Sequence, residues 1–91
     1  MESVGSLRYR SFRFVAYSND HLPRHIHAFF EEAEIIVDLR HNRTVAIADR
    51  ANAYLPKNLK MVKLKRVLNA AADNFDQLVA LWEDVHGSKK S

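Results

Sequence analysis

The chain has 91 residues, 47% of them hydrophobic and 27% charged, a composition that describes one small globular domain and excludes a disordered chain. It contains no cysteine, which excludes a disulfide framework and a thiolate metal centre, so its core must suffice alone or be completed by a partner. A homodimer and a small protein partner are therefore both candidates. The formal net charge is only +3, and no apolar run approaches the roughly 18 residues of a membrane span. The N-terminus also lacks the charged and then apolar pattern of a signal peptide, and a cytoplasmic location is expected.

The domain is expected to cover residues 7–87, with 1–6 and 88–91 as disordered tails. Residues 7–17 mix aromatic and basic types in imperfect alternation and predict a first strand, with Phe12, Phe14 and Ala16 on one face. Residues 18–24 hold Asn19-Asp20 and Leu22-Pro23, both loop signals. Residues 25–30 predict a second strand whose period of two puts Ile26, Ala28 and Phe30 on one face and His25, His27 and Phe29 on the other. After Glu31-Glu32, residues 33–40 predict a third strand with Ala33, Ile35, Val37 and Leu39 inward. Its outward Glu34 or Asp38 is expected across from a histidine of the second strand. A turn over 39–43 leads to a short fourth strand at 44–48.

Helix formers dominate after Leu55-Pro56. Pro56 suits a first helical turn, and Met61, Leu64, Leu68, Ala71 and Phe75 make an apolar stripe over a helix at 57–72. Asn74 followed by Gln77 reads as a capping box opening a second helix, which buries Phe75, Leu78, Val79, Trp82 and Val85 and stops at Gly87. The expected fold is α+β: a small antiparallel sheet of three to four strands followed by two C-terminal helices packed on one face.

Chemistry concentrates in three histidines within seven residues, His21, His25 and His27. Imidazole titrates, donates, accepts and ligates metals near neutral pH. His25 and His27 project in parallel from one strand face, and His21 is free to swing in from the loop. With Glu34 they form a candidate divalent-metal site. Two neighbouring imidazoles are equally a general acid and base for phosphodiester cleavage. The structural alternative has His21 and His25 bonding backbone groups beside Pro23, and His27 packing on Tyr17 or Trp82.

A second feature is basic. Lys57, Lys60, Lys63 and Arg66 recur every three residues around the first helix, a candidate phosphate-tracking stripe, and Arg8, Arg10 and Arg13 extend it if the first strand lies nearby. Asp73 and Asp76 near the start of the second helix argue against a recognition helix there.

The pattern His21-x-Pro23-x-His25-Ile26-His27, then Glu34, Asp38 and Leu39, then Asn74, Leu78, Leu81, Trp82, Glu83, Asp84 and Gly87, resembles the bacterial family called domain of unknown function 4160. The resemblance spans roughly residues 12–87. It implies a small cytoplasmic bacterial protein from gene arrangements resembling toxin and antitoxin pairs, and no defined reaction. The family often has a glycine where this chain has Glu31-Glu32, which implies a longer, non-primed turn between the second and third strands. The function expected is a non-catalytic interaction module of toxin-antitoxin type, binding a small protein partner and nucleic acid. The alternative is a histidine-dependent, metal-assisted hydrolase or nuclease.

Overall fold

The computed structural model describes residues 4–86. Six strands precede two helices: β1 (Val4–Tyr9), β2 (Phe12–Tyr17), β3 (His25–Phe30), β4 (Ala33–Leu39), β5 (Val45–Ile47), β6 (Tyr54–Leu55), α1 (Met61–Asp73) and α2 (Phe75–His86). The architecture is α+β with one antiparallel sheet in the order β1-β2-β3-β4-β5, and β6 also pairs with β4.

The strand count exceeds the expected three to four for two reasons. The run expected as one strand over 7–17 is a hairpin, folded back at Arg10-Ser11 so that Tyr9 faces Phe12 and Val4 faces Tyr17. The imperfect alternation of that run marks its turn. β1 also reaches back to Val4, into the segment expected as a tail. The strand β6 is two residues long, too short to leave a periodic signal.

The β3–β4 connection is likewise tight. Phe30 pairs with Ala33, so Glu31-Glu32 is a two-residue loop with Glu31 at φ 57°, and the expected longer turn does not form. Primed hairpin turns need positive φ because their twist matches that of the strands. Glutamate accepts it here at some cost in strain, and Glu31 gains an exposed ion pair with Lys63.

The core follows the predicted parity. Phe12, Phe14, Ala16, Ile26, Ala28, Phe30, Ala33, Ile35, Val37 and Leu39 form one buried cluster with Leu64, Val67, Ala70, Ala71, Phe75 and Leu78 of the helices. Each large side chain buried there stabilises the fold by roughly 1.5–3 kcal/mol before entropy is counted.

Helix positions differ from expectation in detail. Helix α1 starts at Met61, with Lys60 as its extended N-cap residue, and Pro56 instead follows β6. Met61 is therefore 65% exposed rather than part of the buried stripe. Asn74 does not make a capping box. Its buried side chain donates from Nδ2 to the carbonyl of Ala70 (2.8 Å), ending α1, while its own carbonyl accepts from the Leu78 amide (2.9 Å) to begin α2. One residue thus joins two helices, which leaves no room for a separate loop. Arg43, in the turn before β5, donates through both Nη atoms to the Asp76 carboxylate and ties that turn to α2. This bonding and the Asp76 charge hold the Arg43 guanidinium above its already high pKa. The expected stop at Gly87 and the tail at 88–91 lie outside the described residues.

Candidate metal centre

The three donor side chains that converge are Asp20, His25 and His27. Alternation along β3 brings the two imidazoles side by side, with ring centroids 5.5 Å apart. The loop over 18–24 turns back and delivers Asp20 to both. The Asp20 Oδ2 atom lies 3.3 Å from His25 Nε2 and 3.2 Å from His27 Nε2. The ligand atoms of all three residues lie within 4.8 Å of one another.

The far side of each ring is fixed by an oxygen. His25 Nδ1 lies 2.9 Å from the carbonyl of Pro23, and His27 Nδ1 lies 3.2 Å from Glu34 Oε2. A carbonyl and a carboxylate accept only, so both Nδ1 atoms carry protons. In neutral rings both Nε2 atoms would be lone pairs facing Asp20 Oδ2, whereas a proton on His27 Nε2 makes its 3.2 Å contact with Asp20 Oδ2 a hydrogen bond. Acceptors facing acceptors repel unless a cation lies among them. The buried His25 Nε2 has no hydrogen-bond partner, and its 3.3 Å separation from Asp20 lacks hydrogen-bond geometry. Two imidazole nitrogens and one carboxylate oxygen, each ring oriented through its other nitrogen, form a donor set that fits a divalent transition metal.

Aromatic rings pack around these donors. Trp82 of α2 lies 5.3 Å from His25, and Tyr17 meets His27 edge-on at 5.0 Å. His86 stacks on Trp82 at 3.7 Å and sits between two carbonyls, Trp82 O at 2.9 Å from Nδ1 and Asp20 O at 3.0 Å from Nε2. The last turn of α2 therefore holds the backbone of the residue whose side chain faces the histidines.

The expected site is partly re-assigned. His25 and His27 come together as their strand parity requires. His21 is exposed and stands outside the cluster, because the loop directs the neighbouring Asp20 inward instead. Glu34 reaches His27, yet on the Nδ1 side, since His27 faces Ile36 across the ladder and Glu34 meets it diagonally. Its role is to orient the ring. Of the backbone-bonding and packing contacts expected of the histidines, His25 with Pro23 and His27 with Tyr17 are present. Asp20 and His86 escaped sequence reasoning. A carboxylate ahead of a His-x-His strand and the i, i+4 spacing of Trp82 and His86 were the available signals.

Of the basic residues, Lys57 lies in the connection before α1, Lys60 caps that helix, Lys63 pairs with Glu31, and only Lys63 and Arg66 stand within α1. Lys57 thus falls outside the helix, while Lys60, Lys63 and Arg66 keep their spacing of three from its N-cap onward.

Fold and site together define a small α+β domain with a histidine–carboxylate cluster at one end of its sheet. The family model "Domain of unknown function (DUF4160)" matches residues 11–83, and the chain belongs to that family. No curated protein and no solved structure matches the chain. No described helix is long and apolar enough to cross a membrane.

Proposed function

We propose that the protein is a metal-binding interaction module, in which a divalent transition-metal ion held by Asp20, His25 and His27 fixes the loop over residues 18–24. The observation that carries this reading is the buried His25 Nε2, which makes no hydrogen bond and lies 3.3 Å from Asp20 Oδ2, in a cluster where one ligand atom each of Asp20, His25 and His27 lie within 4.8 Å of one another. Zinc and its neighbours accept this mixture of nitrogen and oxygen donors.

A binding role fits the surroundings. Cavities of about 350, 970 and 260 Å³ are lined by described residues, and none takes a wall from the three donors. The largest adjoins the loop, where Leu22 is 78% exposed beside Pro23, Leu39 and the basic Arg40. A protein partner of toxin-antitoxin type with an apolar anchor and acidic neighbours suits that groove. The count of three donors favours a second reading, a metal-dependent hydrolase, because a fourth position stays open to water.

Calorimetric titration with zinc tests the site. One ion per chain is expected, with binding lost in Asp20→Asn and in His25→Ala. Absence of binding, or binding that both variants keep, refutes the site. Release of product from an oligonucleotide by the loaded protein, lost in the same variants, would replace the binding role with the hydrolase.

A further inference from the structure

The arginines of the β1–β2 hairpin gather without a carboxylate partner among the described residues. Arg8 stands directly across from Arg13 in the antiparallel ladder, and like charges in that position destabilise a sheet. Arg10 occupies the loop between these strands at φ 56°, a left-handed conformation in which a side chain is disfavoured. Its guanidinium lies over the Tyr9 ring, 5.1 Å from the centroid, which holds it in place. Arg8, Arg10 and Arg66 are exposed, and none of these three nor Arg13 has a carboxylate partner within ion-pair distance among the described residues.

The fold adds the helix to this hairpin. Tyr9, Arg10 and Ser11 line one side of a cavity of about 350 Å³, and Arg66, Asn69 and Asp73 line the other. The last three stand at spacings of three and four, so they share one face of α1. Two guanidiniums on opposing walls match a phosphate, with which arginine forms forked, charge-assisted bonds. Asn69 and Asp73, farther along the helix, offer the amide and carboxylate that read donors on the edge of a base.

We propose that this cavity binds one nucleotide of a single-stranded nucleic acid, its phosphate between Arg10 and Arg66 and its base edge against Asn69 and Asp73. Flanking phosphates meet Arg8 and Arg13 on the other face of the same hairpin, where Arg13 stacks over Phe29 at 5.3 Å. A single strand, unlike a duplex, bends around a hairpin tip and exposes base edges to a pocket. The site is separate from the metal centre and stands without it.

The test is anisotropy of a labelled ten-nucleotide RNA measured across a salt series, with unlabelled adenosine monophosphate as competitor. Arg10→Ala and Arg66→Ala should each weaken the strand about tenfold and lower the slope of log K against log salt by about 0.7. Both should also weaken competition by the monophosphate. Arg8→Ala should weaken the strand and leave the monophosphate unaffected, which separates the flanking contacts from the cavity. All three residues are exposed, and circular dichroism checks that the variants fold. The proposal is overturned if RNA does not bind, if Arg10→Ala and Arg66→Ala bind as tightly as wild type, or if a duplex or heparin binds in preference to the single strand.

Discussion

The metal reading makes an unusual prediction for His25→Phe. His25 is 2% exposed, so phenylalanine puts a somewhat larger aromatic ring in the same buried place while removing both nitrogens. The loss is one hydrogen bond to Pro23 O, worth about 0.5–1.5 kcal/mol. The gain is relief of an unsatisfied buried acceptor, which costs the wild type about 1–3 kcal/mol. In chelator the variant should therefore lie between about 0.5 kcal/mol less and about 2.5 kcal/mol more stable than wild type. Zinc at a hundred times its dissociation constant should stabilise the wild type by about 2.7 kcal/mol. For a domain of this size that corresponds to roughly 10–20 °C in Tm, and the variant should show none of it. Paired thermal melts in chelator and in zinc measure both effects. The competing account is a metal-free pair of protonated His25 and Asp20. Breaking such a buried pair from one side costs about 3–5 kcal/mol. A loss of that size in chelator, with no zinc shift in the wild type, refutes the reasoning.

Three further outcomes follow from other contacts. Glu34→Ala frees the Nδ1 side of His27 and should weaken zinc about 10- to 100-fold in a competitive chelator titration while leaving one site per chain; unchanged affinity would remove Glu34 as the orienting group. Asn74→Ala removes the bond that ends α1 and should cost about 1–2 kcal/mol in urea denaturation, with a loss under 0.5 kcal/mol counting against its joint role. Gly5 lies so close to α2 that an added Cβ meets Leu81 Cδ1 at 2.8 Å, so Gly5→Val should cost roughly 1–3 kcal/mol by the same measurement. A neutral result there would mean that the Leu81 side chain turns aside to admit the new atoms.

Much of the fold could be read from periodicity. The alternation in β3 and β4 fixed which side chains enter the core, because a strand face is decided by parity alone. The apolar spacing of Leu64, Ala71, Phe75, Leu78 and Trp82 marked the buried sides of both helices, and the start of α1 moved to Met61 because Pro56 follows β6. Turns were harder to read. Arg10-Ser11 and Glu31-Glu32 fold tightly without the glycine that usually announces positive φ, since strand pairing on both sides pays the local strain.

The sequence by itself determined that His25 and His27 stand side by side on one strand face, since residues two apart on a strand share a face. It also determined the family. Only the tertiary structure decided that Asp20 rather than His21 completes the cluster, because adjacent loop residues point in different directions and the chain path selects one. The same holds for Glu34 on the outer nitrogen of His27 and for His86 on the carbonyl of Asp20, contacts set by cross-strand register and by where a helix ends 66 residues later. Arg10 and Arg66 likewise face one cavity only because α1 packs beside the tip of the β1–β2 hairpin. Local spacing specifies faces, and the packing of distant elements specifies which faces meet.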